Sequence, residues 1–347
     1  MGVMMVQRYS YLELKEKVWD TGICSGCGAC VAVCPADALF FPEQPGIFHP
    51  SSTGYCKMVT DSVPCGACFE ACPRTESPRQ DSETCTNPRR ILRAQARDPS
   101  PYRQSGGAVT AILTAGMMAG FIDGVVTVSE DRWTHQARSV LITRSGDLAM
   151  HAGSRYNWSV PVLRSLKEAV IDHKLTSIAV VGTPCVVQAA RAMKNSSHDL
   201  LIPFGRSIRL ILGLFCTESF DYHTLMDEII RGGTGISSFQ VKGMDVKGKL
   251  DLLLDDGTTR PLSLEEVGGA VREGCHTCSD FSAPDADISA GSVGTPDGYT
   301  TILVRTAEGE GFVTEAERQG LLTVSEDVDM TSVNRLASAK RARSGRS

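Results

Sequence analysis

The chain has 347 residues, 42% hydrophobic and 22% charged, with a formal net charge of −5. That composition suits a soluble protein of two or three domains. The acidic balance argues against a nucleic-acid partner, which asks for a basic patch, and the thirteen cysteines ask for an explanation of their own.

The start, Met1-Gly2-Val3-Met4-Met5, lacks the basic opening and long apolar core of a signal peptide. A cytoplasmic chain is expected, with its cysteines as thiols or metal ligands rather than disulfides. The first cysteine run reads Cys24-Ser25-Gly26-Cys27-Gly28-Ala29-Cys30-Val31-Ala32-Val33-Cys34-Pro35. This is C-x2-C-x2-C-x3-C-P, the bacterial ferredoxin spacing for a [4Fe–4S] cluster, in which the fourth cysteine ligates a second cluster. A partner run is therefore required. Cys65-Gly66-Ala67-Cys68 with Cys72-Pro73 supplies it, and Cys56 upstream is the candidate missing ligand. The natural assignment puts Cys24, Cys27, Cys30 and Cys72 on one cluster and Cys34, Cys56, Cys65 and Cys68 on the other. Cys56 lies farther upstream than the regular pattern has it, and Cys85 is its rival. A zinc site or disulfides are the alternative use of such cysteines.

Residues 1–75 thus read as a domain of the bacterial 2[4Fe–4S] ferredoxin type. Residues 76–103 read as a polar, proline-containing linker, with Arg89, Arg90, Arg93 and Arg97 mostly on one solvated face of a short helix. Residues 106–122 carry no charge and could be taken for a short membrane span. Their Gly, Ala, Thr and Met content, with Asp123 directly after, favours a buried helix over about 107–119 ended by Gly120.

From there helices and strands alternate. Strands are predicted at 125–128 and 139–144, the latter turning at Ser145-Gly146-Asp147, and a helix at 160–173. A buried strand at 177–181 leads to a helix at 184–194, and a strand at 209–214 to a helix at 222–231. Residues 239–262 read as a β-meander turning at Lys247-Gly248 and Asp255-Asp256-Gly257, and 300–306 as a strand turning at 309–311. The fold class is therefore α+β or α/β: the ferredoxin unit, then a mixed α/β domain over 104–333. The last segment, 334–347, is basic and predicted to be disordered.

Four more cysteines fall in the α/β part. Cys185 follows Val181-Gly182-Thr183-Pro184, with Thr183 as N-cap and Pro184 as first helical residue. The helix dipole there favours a thiolate. Cys216 follows a strand, and Cys275 and Cys278 form a C-x2-C pair. Taken singly, each is more often a buried small hydrophobe. Together, at converging strand ends, they could close a third cluster or a zinc site. Two glycine-rich turns offer cofactor contacts: Gln104-Ser105-Gly106-Gly107, opening the apolar helix, and the loop from Gly291 to Gly298. Neither is the G-x-G-x-x-G of a dinucleotide fold. The seven histidines make no metal-like cluster.

Five segments, taken in order, resemble the family of coenzyme F420 hydrogenase/dehydrogenase beta subunits. They are Gln104-Ser105-Gly106-Gly107-Ala108-Val109-Thr110, Gly153-Ser154-Arg155-Tyr156, Val181-Gly182-Thr183-Pro184-Cys185, Leu214-Phe215-Cys216-Thr217-Glu218, and Cys275-His276-Thr277-Cys278-Ser279-Asp280-Phe281. The last runs on through Ala286-Asp287-Ile288 and Gly291-Ser292-Val293-Gly294 to Asp297-Gly298. The match covers about residues 104–306. With the ferredoxin unit in front, the domain order is similar to the electron-input subunit of archaeal reduced-coenzyme-F420 dehydrogenases.

The resemblance implies a non-Rossmann FAD site and a third [4Fe–4S] cluster on Cys185, Cys216, Cys275 and Cys278. By the family pattern Gln104, Ser105, Gly106, Gly107 and Thr110, with Ser154, Arg155 and Tyr156, would contact FAD. Gly291, Ser292, Gly294, Asp297 and Gly298 would line the flavin. Tyr299 stands where the family often has tryptophan. The implied activity passes hydride from reduced coenzyme F420, the substrate, to FAD, then single electrons through the clusters to a partner, or the reverse. No acid–base or nucleophilic residue is needed for that.

The implied partners are electron-accepting subunits of membrane dehydrogenase, hydrogenase or formate dehydrogenase type, through which alone the chain would touch a membrane. Two other readings are a same-fold subunit acting on another acceptor, of glutamate synthase or sulfite reductase type, and a flavin-free electron-transfer module.

Overall fold

The computed structural model describes residues 8–42, 47, 49–75, 87–100, 102–156 and 160–345. In the cysteine-rich part, β1 (Leu39–Phe40) and β2 (Ser51–Ser52) pair antiparallel. Next come β3 (Arg90–Ala96), β4 (Gly124–Glu130), β5 (Ala137–Ile142), β6 (Ile178–Gly182) and β7 (Ile208–Leu214). A meander of β8 (Val241–Val246), β9 (Lys249–Leu254) and β10 (Thr259–Ser263) forms its own antiparallel sheet. The last strands are β11 (Ile288–Gly291), β12 (Thr300–Val304) and β13 (Leu322–Ser325).

The main sheet has eight strands in the order β13-β3-β12-β11-β7-β6-β4-β5. Strands β11, β7, β6 and β4 run parallel. The flanking pairs β4–β5, β11–β12, β12–β3 and β3–β13 are antiparallel. Two antiparallel steps return β3 to the direction of β11. Consequently β3, β4, β6, β7 and β11 all end at one edge, and the loops that follow them hold the residues discussed below.

The parallel strands are apolar at nearly every position because both faces are covered. Side chains alternate between the faces with period two. Val125, Ala179, Leu210 and Leu212 pack under the helices Ala108–Met118 and Ala307–Arg318, the latter contributing the wholly buried Phe312. Val126, Val180 and Ile211 pack under the helix Pro184–Asn195. The cysteine-rich part rests on this second face. Ala29, Ala32, Val33, Ala67 and Ala71 share one core with Leu163, Leu166 and Val187. Leu163 N–H donates to the Cys27 carbonyl at 3.0 Å, and Lys167 Nζ to the Cys34 carbonyl at 2.8 Å.

The helix of 107–119, the strands at 125–128 and 139–144, and the meander form where expected, with Gly107 and Gly120 left-handed at the helix ends. Four readings are corrected. The arginine-rich stretch of 76–103 is not a short helix but strand β3, because Leu92, Ala94 and Ala96 alternate into the core. The strand β12 does not turn at 309–311. Thr306 caps a helix there, its hydroxyl accepting from Gly309 N–H at 3.1 Å. The helix expected from residue 160 starts at Arg164, behind Pro161, and becomes π-helical from Glu168. Most consequential, the tail 334–347 is not disordered up to Gly345. Asp329 caps a helix over Met330–Arg343 by accepting from Thr331 and Ser332 N–H, and Val333 and Lys340 are buried.

Candidate functional site

Cys34, Cys56, Cys65 and Cys68 line one cavity, closed by Tyr11, Pro35 and Met58. All four members of the second expected set, Cys56 included, therefore face one space. Cys85 lies outside the described residues. The other ferredoxin-type set is also gathered. Burial first, then the neighbouring Cys72, Cys24 and Cys27, push the Cys30 thiol well above its usual range. Burial and Cys27 do the same to Cys72.

Cys24 and Cys27 also border a second cavity, whose wall includes Cys185, Cys216, Cys275 and Cys278. Two of these four follow from the sheet. Gly182 ends β6 and Cys185 sits in the first turn of the next helix, behind Pro184. The Thr183 hydroxyl meets the Cys185 Sγ at 3.2 Å and makes no N-cap hydrogen bond, against expectation. Leu214 ends β7, and Cys216 N–H donates to the Phe281 carbonyl at 2.9 Å. Cys275 Sγ accepts from Ser219 N–H at 3.4 Å, and Cys278 N–H bonds the Cys275 carbonyl at 3.2 Å. The expected third set and one side of the first thus open onto a single space.

Among the described residues three cations reach the same wall, Arg74, Arg272 and Lys340, and no carboxylate does. Sequence reasoning singled out none of them. Arg74 follows Cys72-Pro73 and Arg272 precedes the C-x2-C pair, a signal that could have been read; Lys340 in the basic tail gave no such signal. Arg272 Nη1 donates to the Ser25 carbonyl at 2.9 Å and Arg74 Nη2 to the Gly274 carbonyl at 3.4 Å. Burial pushes the Cys27 thiol up to about 12, helped by Cys185. It pushes Cys216 up as well. Burial works the same way on Cys278, but Lys340 and Arg74 outweigh it and bring that thiol below its ordinary value. Buried thiols of this kind keep their protons unless a metal takes them. Among the described residues no three Cys, His, Asp or Glu side chains converge closely enough to hold a single ion. A cluster, whose thiolates bind separate irons, does not need them to.

The loops expected to hold FAD meet at the same sheet edge. Gln104 is their hub. Its Nε2 donates to Tyr156 Oη at 3.1 Å and Asp245 Oδ1 at 3.0 Å, and its Oε1 accepts from Ser154 N–H at 3.1 Å. Burial pushes the Tyr156 hydroxyl up to about 12, with Asp245 adding to it. Ser105 is left-handed, and Gly106 N–H donates to Thr300 Oγ1 at 3.0 Å. A Cβ on Gly106 would strike the backbone of Ala94 and Thr300, so only glycine fits. Thr110 lies in the first turn of the helix Ala108–Met118.

Gly298 is tied to β3, its carbonyl accepting from Gln95 Nε2 at 3.1 Å. Asp297 accepts from Lys247 Nζ at 2.7 Å. Gly291 abuts the Phe215 ring, next to Cys216. Ser292 is exposed, and Gly294 packs against Asp329 and Val333 of the C-terminal helix. Arg155 is turned inward. Its guanidinium donates to the carbonyls of His151, Ala152 and Gly153 and lies 3.8 Å from Glu130. It shapes its own loop rather than standing open to a ligand.

Profiles of known families match in three places. Residues 17–40 fit a 4Fe-4S binding domain. Residues 91–167 fit the N-terminal part, and 175–329 the C-terminal part, of the coenzyme F420 hydrogenase/dehydrogenase beta subunit. The chain is 42% identical over 353 residues to an uncharacterised protein of Methanocaldococcus jannaschii, covering 96% of this chain and 98% of that one. It is 32% identical over 295 residues to a subunit of the F(420)H(2) dehydrogenase of Methanosarcina mazei, covering 84% and 81%. Among solved structures, a chain of the F420-reducing [NiFe] hydrogenase complex from Methanosarcina barkeri matches with a TM-score of 0.69 and 29% identity, over 74% of this chain and 90% of that chain.

Proposed function

Because the chain belongs to the family of coenzyme F420 hydrogenase/dehydrogenase beta subunits, we propose that it is an iron–sulfur flavoprotein oxidoreductase, exchanging hydride with coenzyme F420 and single electrons with a partner complex. The observation that carries this reading is the shared cavity. Thiols of a ferredoxin-type set and of the α/β set face one space at the sheet edge where the glycine-rich loops also lie. A flavin is the group that converts between hydride and single electrons, which neither a deazaflavin nor an iron–sulfur cluster does alone.

The chain's residues fit those groups. The N-terminus of the helix Ala108–Met118 presents backbone N–H groups that have no partner within the helix, suited to an anionic part of FAD. Gln104, Ser154 and Tyr156 fix the loop beside it, and Gly291 and Gly294 let the second loop run close to Phe215 and the C-terminal helix. Cys24, Cys27, Cys30 and Cys72, then Cys34, Cys56, Cys65 and Cys68, then Cys185, Cys216, Cys275 and Cys278 would each hold one [4Fe–4S] cluster. Arg74, Arg272 and Lys340 offset the negative charge of the thiolates.

We read the partner as an electron-accepting complex of dehydrogenase or hydrogenase type. Among the described residues no helix is long and apolar enough to cross a membrane, and membrane contact in this reading comes through partner subunits.

The test is anaerobic stopped flow on the purified protein. A flavin absorption band should bleach with reduced coenzyme F420 and respond far more slowly to NADH or NADPH. About twelve iron atoms per chain are expected. Absence of flavin, or nicotinamide rates equal to the deazaflavin rate, overturns the reading.

A further inference from the structure

The C-terminal helix Met330–Arg343 joins the two halves of the site. At its start, Asp329 N–H donates to the Gly294 carbonyl at 2.8 Å, and Val333 packs against Gly294. At its end, Lys340 Nζ donates to the Cys216 carbonyl at 2.6 Å. Arg343 clamps the same turn, reaching Glu218 Oε2 at 2.7 Å and the Thr217 carbonyl at 3.0 Å.

Lys340 is 4% exposed. A buried ammonium needs a counter-charge, and among the described residues no carboxylate lines its cavity. The nearby Asp280 is committed elsewhere, accepting from Ala283 N–H and Gln188 Nε2, each at 2.9 Å. What shares the cavity with Lys340 is sulfur: Cys216, Cys278, Cys275 and Cys185.

We propose that Lys340 is a positioning residue for the cluster held by these four cysteines: it supplies the fixed positive charge that seats the cluster and raises its reduction potential, from a helix that also braces the flavin loop. The proposal rests on the reading that Cys185, Cys216, Cys275 and Cys278 carry a cluster. Its physics is simple. A cluster bound by four thiolates is an anion, and its reduction adds one more negative charge. A cation a few ångströms away therefore favours the reduced form more than the oxidised form. Arg74 and Arg272 add charge from other segments, but Lys340 alone of the three belongs to the element seated on Gly294.

The experiment compares the full-length protein with Lys340→Met, Lys340→Arg and Arg343→Ala. It measures iron content and the cluster potentials by EPR-monitored redox titration. The third cluster's signal is identified as the one missing from Cys278→Ala. In Lys340→Met the two ferredoxin-type signals should stay in place. The third should shift down, to a reduced-to-oxidised ratio about tenfold lower at fixed potential, about 59 mV for one electron, or be lost to a chelator first. Lys340→Arg should restore it, and Arg343→Ala, which loosens the same helix but leaves the charge, should not shift it.

If the wild type holds only about eight irons and two signals, the cluster reading itself falls. If three signals are present and Lys340→Met leaves the third at its wild-type potential and iron content, the proposal falls while the reading stands. Loss of the third cluster in Lys340→Met and Lys340→Arg alike also overturns it, because charge would then not be what matters.

Discussion

His135 occupies a left-handed turn just beyond β4, and is 3% exposed. Its Nε2 lies 2.7 Å from the Val241 carbonyl and its Nδ1 3.8 Å from Glu130. Burial works to lower its pKa, but the nearby Glu130 carboxylate and the bond to the Val241 carbonyl raise it further, so the folded value sits above the ordinary imidazole value. The protonated form is thus favoured by folding. Its stabilisation is complete below the unfolded pKa and is lost as pH rises through the folded one. The imidazole ties β4 to β8, so the docking of the meander should carry this dependence. The loss of melting temperature in His135→Gln should be larger at pH 6 than at pH 8.5; an equal loss at both would show that the ring is neutral in the fold.

Other single residues differ in how far the sequence announces them. The ferredoxin cysteines are legible because ligand spacing is itself the constraint. Arg155 is legible as a position but not in its role, since nothing local says that its guanidinium folds back onto three carbonyls of its own loop. Lys340 is hidden among surface-like neighbours, and only the packing reveals it.

At the scale of elements, the glycine turn before the helix Ala108–Met118 is a tight join. Gly106 has no room for a methyl group against the backbones of β3 and β12. Gly106→Ala should therefore cost about 1–3 kcal/mol as an overpacked site and lower the flavin-to-protein ratio. Gly146→Ala, with open space around it, is the control. Wild-type flavin content in Gly106→Ala would show that this turn is not part of the cofactor seat.

The helix itself was legible because an uncharged run of small residues bounded by glycines has few other uses. Strand β3 was not. The arginines in and beside it, at 89, 90, 93 and 97, mimic a helical face, while the deciding signal is the short alternation of Leu92, Ala94 and Ala96. The C-terminal helix was missed for a related reason. Its charge suggested a solvated tail, and the anchors at its two ends, Gly294 and Cys216, lie far off in sequence.

At the scale of the whole molecule, the cysteine-rich part is not a bead on a tether. Ala29, Ala32, Val33, Ala67 and Ala71 form its back face, and that face is completed only by Val162, Leu163, Leu166 and Val187. Residues 1–75 expressed alone should expose this surface, aggregate, and retain far less than the about eight irons of two clusters. A soluble fragment holding a full complement of iron would show that the packing is dispensable. The sequence suggested separable domains because the segment between them is polar and rich in proline. Polarity along the chain says nothing about whether its two ends dock.

The shared cavity also bears on how the protein is made. Its wall combines Cys24 and Cys27 with Lys340, which comes far later in the chain. The strands that support the early cysteines, β4, β6 and β7, are translated after them. Cys24 and Cys27 are therefore enclosed only after those later strands have been made, because domains fold as units once their parts have emerged. Throughout synthesis they stand open to oxidants and to stray metals. Protein made in air should therefore carry less iron than protein made without oxygen and purified in the same way.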